Sequence, residues 1–215
     1  MSEESVSRRR FLGGVGGGLA IALGAGTLLP DGTTSPIEPA DSFPATETSE
    51  TPLEESETPY AIYQYEPVNG GNQFERTAPI NVVFPLEETD FDSVISVFEA
   101  TGWYHRPAEY ARYAYDRETE TWHRSHWSGA ETIFGIAARL HVRCWELAGT
   151  ASIQAHIDTP ATPRHRIDSY EVGALAVARL FADEGWDIDP DNPERIDFQN
   201  AQSPDHPGSA MVISR

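Results

Sequence analysis

The chain contains no lysine, so all 15 of its basic side chains are arginines, against 34 acidic ones. The formal net charge of -19 argues against nucleic acid and against anionic membrane surfaces as partners of the domain, because both would be repelled. An acid-rich, lysine-free composition is typical of proteins that work in concentrated salt. There a Debye length of roughly 3 Å screens the repulsion between carboxylates. We therefore predict a salt-adapted, halophilic protein.

The chain has one cysteine, and a single thiol excludes both an intrachain disulfide and a cysteine-based metal motif. Cys144 falls at an apolar position of a predicted strand, which favours a small buried residue. The sequence also lacks a P-loop, a dinucleotide-binding motif and a nucleophile elbow. These absences favour a protein without enzymatic activity.

The N-terminal segment resembles an export signal. Residues 7–12, Ser-Arg-Arg-Arg-Phe-Leu, resemble the twin-arginine motif, and a glycine-rich apolar run follows to Pro30. We expect residues 1–30 to engage twin-arginine export, with the apolar run either cleaved or kept as a membrane anchor. The predicted location is extracytoplasmic or secreted.

Residues 31–59 are rich in Thr, Ser, Pro and Glu, with eight acidic residues and no basic one. Such a segment cannot form a core, so we predict a disordered, solvated linker. The remaining residues 60–215 suffice for a single domain with one core.

The most informative stretch is residues 139–158, in which two arms alternate with period two around Ala148-Gly149. A reversal there pairs Leu140 with Ile157 and Cys144 with Ile153 on the apolar face. The same register sets Arg139 opposite Asp158, His141 opposite His156 and Arg143 opposite Gln154. Since Ala-Gly is not the preferred two-residue turn, a four-residue loop with the same centre is an alternative.

The polar face of this hairpin gathers the candidate site residues. An anion or other ligand could be held by a cationic group consisting of Arg139, His141, Arg143, His156, Arg164 and His165. A zinc ion could instead be held by His141, His156 and either Asp158 or His165. In a third interpretation the arginines simply pair with nearby acids and fix the sheet, with no cofactor.

Two helices are predicted beside the strands. The first begins at Thr89 or Asp90, and the second at the capping-box sequence of residues 168–171. Each ends in Gly-Trp four residues after a phenylalanine, which is the pattern of a Schellman stop. Residues 122–127 are predicted to form a loop. The fold class is therefore α+β: a single domain with a mainly antiparallel sheet and two principal helices packed on one face.

Three segments resemble the LssY C-terminal domain and its haloarchaeal relatives. They are residues 79–84 with the later Gly102-Trp103, residues 139–145 and residues 154–158. In this resemblance the family's His-x-Arg-x-Trp element corresponds to His141, Arg143 and Trp145. The family implies no settled reaction.

Two functions remain open from the sequence. The first is an exported, non-catalytic envelope or ligand-binding module. The second is an extracytoplasmic hydrolase of an anionic ester that uses the His141/His156 face, with a metal-bound water as its nucleophile.

Overall fold

The computed structural model describes residues 60–68, 73–105, 111–131, 138–159, 166–198 and 208–215, and the backbone of Ser42–Pro44. The predicted signal segment and most of the predicted linker lie outside these residues. Within the linker, Ser42–Pro44 forms a strand paired antiparallel with Thr121–Arg124. At that point the linker is bound to the domain, whereas the sequence predicted it to be solvated.

The described residues contain two helices and thirteen strands, numbered in chain order. The helices are α1 (Phe91–Ala100) and α2 (Tyr170–Asp183). The first strands are β1 (Ser42–Pro44), β2 (Tyr63–Val68), β3 (Gln73–Pro79), β4 (Val82–Pro85), β5 (Tyr104–His105), β6 (Tyr113–Asp116) and β7 (Thr121–Arg124). The others are β8 (Trp127–Ala130), β9 (Arg139–Leu147), β10 (Thr150–Asp158), β11 (Ile167–Ser169), β12 (Arg195–Asp197) and β13 (Ser209–Val212).

The larger sheet has the strand order β12-β13-β4-β10-β9-β8-β5, with β11 added to β10. Its pairings are antiparallel except that of β13 with β4. Both helices pack on one face of this sheet, where Val94, Phe98, Val177 and Phe181 share a core with Cys144 and its neighbours. The predicted α+β class, mainly antiparallel with two helices on one face, is confirmed.

A second sheet, with the order β1-β7-β6-β2-β3, supplies a second core that is rich in aromatic residues. Trp145 and Leu147 of β9 are buried in this core together with Trp122 of β7. The alternation of β9 therefore places its two faces in two different cores. The sequence predicted one sheet and did not reveal this second layer.

The predicted loop at residues 122–127 is wrong. Trp122 lies in β7 of the smaller sheet and Trp127 lies in β8 of the larger one, so the chain crosses between the sheets at Ser125 and His126. The indole Nε1 of Trp145 donates to the backbone oxygen of His123 at 3.1 Å and ties the two sheets together. Trp122 and Trp127 are almost fully buried. The burial of these two large side chains explains why the polar segment between them is flanked by strands.

The helix ends follow their sequence signals closely. Asp90 caps α1 by accepting from the backbone N–H of Ser93 at 2.7 Å. Ser169 caps α2 by accepting from Val172 N at 3.1 Å, so the capping residue is Ser169 rather than Asp168. At the C-terminus of α2, Gly185 has a φ of +82° and Trp186 N donates to Phe181 O at 3.0 Å, which confirms the Schellman stop.

The central hairpin has the predicted register at every position, including Arg139 opposite Asp158 and His141 opposite His156. Its turn contains only two residues, because Leu147 pairs directly with Thr150. Ala148 and Gly149 have φ angles of +43° and +76°, as a type I′ turn requires. The four-residue alternative is therefore wrong.

None of the helices in the described part of the chain combines the length and the apolar character needed to span a membrane.

Candidate metal centre

The candidate centre lies on the polar face of the β9–β10 hairpin, at the end away from the turn. Three of its side chains, His141, His156 and Asp158, could each offer one ligand atom, and these atoms lie within 4.8 Å of one another. The strand register places the two histidines side by side, with Asp158 one pair further along the same face. These three residues are only 5–7 % exposed, so this end of the polar face is buried in the folded chain.

The carboxylate of Asp158 is the centre of the cluster. His141 Nε2 lies 3.2 Å from Oδ2, and His156 Nε2 lies 3.2 Å from Oδ1. The guanidinium Nε of Arg139 lies 3.4 Å from the same Oδ2 as His141. The two imidazole rings stack with an 8° angle between their planes and 5.3 Å between their centroids. Both imidazoles therefore contact one carboxylate from the same side.

His141 is the member whose bonding is incomplete. Its Nε2 is close enough to Asp158 for an ion pair, yet none of the described residues makes a hydrogen bond of acceptable direction with this buried atom. The direction of the contact matters as well as its length, because a short N···O distance without alignment gives only a weak hydrogen bond. A buried imidazole nitrogen without a hydrogen bond is costly unless a further ligand completes it.

Gln154 contacts the other ring nitrogen of His156. Its amide Nε2 lies 2.9 Å from His156 Nδ1, and its Oε1 lies 3.2 Å from the same atom. Gln154 is fully buried, so the contact is shielded from water. Side chains in this position orient a ligating imidazole and select its tautomer.

Helix α2 packs directly behind the site. A Cβ atom on Gly173 would lie 2.5 Å from the Cα of His156, so only glycine allows this approach of helix and strand. Asn81, just before β4, accepts from Ala155 N at 2.8 Å and donates to the backbone oxygens of Ala155 and Tyr170. These contacts fix the backbone that carries His156.

Burial and charge set the protonation of the site. Burial lowers the pKa of His156 and outweighs the opposing contact with Asp158, so the neutral imidazole is favoured. Burial alone would raise the pKa of Asp158, but the contacts with His141 and His156 more than offset it and hold that pKa far below its usual range. A neutral histidine and an ionised carboxylate are the forms that bind metals.

The other predicted site residues are placed as follows. Arg143 is half-buried, lies opposite Gln154, and its charge contributes to the lowered pKa of His156, after burial. Arg164 and His165 lie outside the described residues. Because Arg139, His141 and His156 already surround the carboxylate of Asp158, an external anion would have to compete with that internal one.

Comparisons with protein-family models, with curated proteins and with solved structures found no match to this chain. The function must therefore be argued from the site itself.

The spacing between each imidazole and the carboxylate suits a zinc-type ion. Ligand atoms around a tetrahedral zinc with bonds of about 2.0–2.1 Å lie about 3.3 Å apart, close to the 3.2 Å found between each imidazole and Asp158. Coordination would require both Nε2 atoms to be unprotonated and the parallel rings to tilt towards a common point. Among the described residues the set offers three protein ligands, one fewer than a closed tetrahedral site has.

The sequence missed three residues that shape the site. Gln154 was visible only as the partner of Arg143, while Asn81 and Gly173 carried no functional signal. Asn81 and Ala155 are 74 positions apart, and no local pattern connects them. Gly173 falls on the apolar stripe of α2, where a glycine in mid-helix is itself a hint of close packing.

Proposed function

We propose that this domain is an extracytoplasmic, salt-adapted module that binds a divalent transition metal, with zinc as the best fit, through His141, His156 and Asp158. The observation that carries the proposal is the buried Nε2 of His141, which has no hydrogen bond to the described residues and lies within reach of two further ligand atoms. Two imidazoles and one carboxylate form a donor set that suits zinc.

The charge of the site bears on what else binds there. Arg139 and Asp158 neutralise each other, and both imidazoles are neutral when they ligate. A bound divalent ion would therefore leave the cluster at about +2, with Arg143 nearby. An anionic group in the fourth position would lower this charge, which favours an anionic ligand in addition to the metal.

The non-catalytic interpretation has support in the burial of the cluster. Each of its three residues is less than a tenth exposed, which restricts access for a substrate. Export remains part of the proposal and rests on residues 7–12, and the relationship to the LssY C-terminal domain remains a prediction.

Metal analysis of the full chain, purified in molar salt, tests the proposal. We expect one equivalent of zinc after loading and dialysis, and a thermal stabilisation that grows with free zinc. At a zinc concentration 100 times the Kd, the stabilisation should reach about 2.7 kcal/mol. His141→Ala, His156→Ala and Asp158→Asn should each weaken binding by at least about 100-fold, since even outer-shell partners contribute 10–100-fold.

His105→Ala is the matched control. His105 is an exposed histidine on β5 whose Nδ1 contacts the backbone oxygen of Ser128, away from the cluster. The control should bind zinc like the wild-type chain. If the wild-type chain holds no stoichiometric metal and melts at the same temperature with and without zinc, the proposed function is wrong.

A second candidate function, hydrolysis of an anionic ester, is favoured by the number of protein ligands, which is three among the described residues. Catalytic zinc sites have three protein ligands, whereas structural sites have four. The zinc-loaded chain should then hydrolyse an aryl phosphodiester, and His156→Ala should lose that activity along with the metal. Stoichiometric zinc without hydrolysis would support the binding module alone.

A further inference from the structure

The amide of Gln154 presents both of its polar atoms to one nitrogen of His156. The donor Nε2 lies 2.9 Å and the acceptor Oε1 lies 3.2 Å from His156 Nδ1. Within the described residues, Gln154 is the side chain that contacts this nitrogen, and its amide can either donate or accept. Nδ1 can therefore keep a hydrogen bond in both tautomers of the ring.

The two tautomers differ in what they leave at Nε2. With the proton on Nε2, His156 can donate to Asp158 Oδ1 at 3.2 Å, and Nδ1 accepts from the Gln154 amide. With the proton on Nδ1, the ring donates to Gln154 Oε1, and the Nε2 lone pair is free for a metal ion.

We propose that Gln154 is a positioning residue that lets His156 exchange from a carboxylate-bonded form to a metal-ligating form without leaving Nδ1 unpaired. This inference rests on the proposed metal-binding function. The exchange conserves protons: the Nε2–H bond breaks and its proton passes to solvent, while a solvent proton bonds to Nδ1. The Gln154 amide itself transfers no proton. It donates from Nε2 to one tautomer of His156 and accepts at Oε1 from the other.

The burial of Gln154 makes its hydrogen bond to His156 difficult to replace. Its side chain is fully buried, so water cannot replace a lost hydrogen bond. Ser152, two residues earlier on the same buried face, contacts Thr150 at 3.4 Å. Ser152 is therefore a matched position, buried and polar on the same strand, but bonded away from His156.

Nitrogen-15 NMR of the full chain in molar salt tests the inference directly. In the metal-free wild type we expect the proton of His156 on Nε2, and after zinc loading we expect it on Nδ1. In its ionised form Gln154→Glu offers only acceptors, so Nδ1 should carry a proton even without metal. Gln154→Met removes the partner and should weaken zinc binding by roughly 10–100-fold. Ser152→Ala should change neither the tautomer nor the affinity.

The outcomes separate this inference from the proposed function. If zinc does not bind but metal-free Gln154→Glu still moves the proton to Nδ1, the metal proposal is wrong while the role of Gln154 in setting the tautomer stands. If Gln154→Met binds zinc like the wild type, or if Nδ1 stays unprotonated in Gln154→Glu, the role of Gln154 is refuted. The wild-type comparison of metal-free and zinc-loaded chain requires no variant to fold.

Discussion

Replacing Gly173 by alanine is expected to separate α2 from β10 and to disturb the site on the other side of that strand. The new methyl group would lie 2.5 Å from the Cα of His156, 2.6 Å from its N and 2.8 Å from the carbonyl carbon of Ala155. All three are backbone atoms in a central strand, so none of them can turn away as the end of a side chain could. The helix itself must withdraw.

The size of the effect follows from two opposing contributions. Restoring an ordinary contact of 3.4 Å requires a shift of roughly 1 Å across a packed interface, and overpacking of this kind costs about 1–3 kcal/mol. Alanine is the better helix former, by about 0.8–1.0 kcal/mol, and this gain partly offsets the cost. Because the contacted atoms are backbone, we expect the upper part of the cost and a net loss of about 2 kcal/mol in the free energy of unfolding.

Thermal unfolding in molar salt measures this loss. For a domain of about 150 residues, 2 kcal/mol corresponds to a fall in Tm of roughly 4–8 °C. Val172→Ala is the matched control, since Val172 precedes Gly173 on α2 and is 48 % exposed, so its change should stay within about 0.5 kcal/mol. A Gly173→Ala variant that melts at or above the wild-type temperature would refute the close approach of helix and strand.

Two further predictions concern pH and salt. Burial lowers the pKa of His156 from its ordinary 6.5, so below that pH the unfolded chain binds a proton that the folded chain does not, and stability should fall on acidification. The lowered pKa of Asp158 acts in the same direction and adds a second loss of stability below pH 3.8. A Tm that stays constant from neutral pH to about pH 5 would contradict the loss assigned to His156. Desalting should destabilise the fold, since the Debye length grows from about 3 Å at 1 M to about 30 Å at 0.01 M and exposes the net charge of -19 to its own repulsion. An unchanged circular dichroism spectrum between molar and millimolar salt would count against salt adaptation.

Local patterns predicted those parts of the fold that depend on near neighbours. The alternation of residues 139–158 determined the register of β9 and β10, because a shift by one residue would mix apolar and polar faces. The Gly-Trp helix ends were equally predictable, since their hydrogen bonds join residues only five positions apart. The loop predicted at residues 122–127 was wrong, because the burial that makes these residues strands comes from two different sheets.

The candidate site was predicted in part. The sequence placed His141 and His156 side by side with Asp158 on the same face, and it offered a metal, an anion and plain ion pairing as alternatives. It could not tell that the two imidazoles contact different oxygens of Asp158, or that Gln154 contacts Nδ1 of His156. Those contacts depend on side-chain rotamers, which packing selects.

The sequence by itself determined that two histidines and a carboxylate share one side of a hairpin in an acidic, lysine-free chain. Only the tertiary structure decided that this side is buried, that His141 Nε2 has no hydrogen bond to the described residues, and that Asn81 and Gly173 hold the strand behind the site. The physical reason is the distance along the chain over which each property is determined. Period and register are properties of adjacent residues, whereas burial and donor geometry arise when segments far apart in the chain pack together.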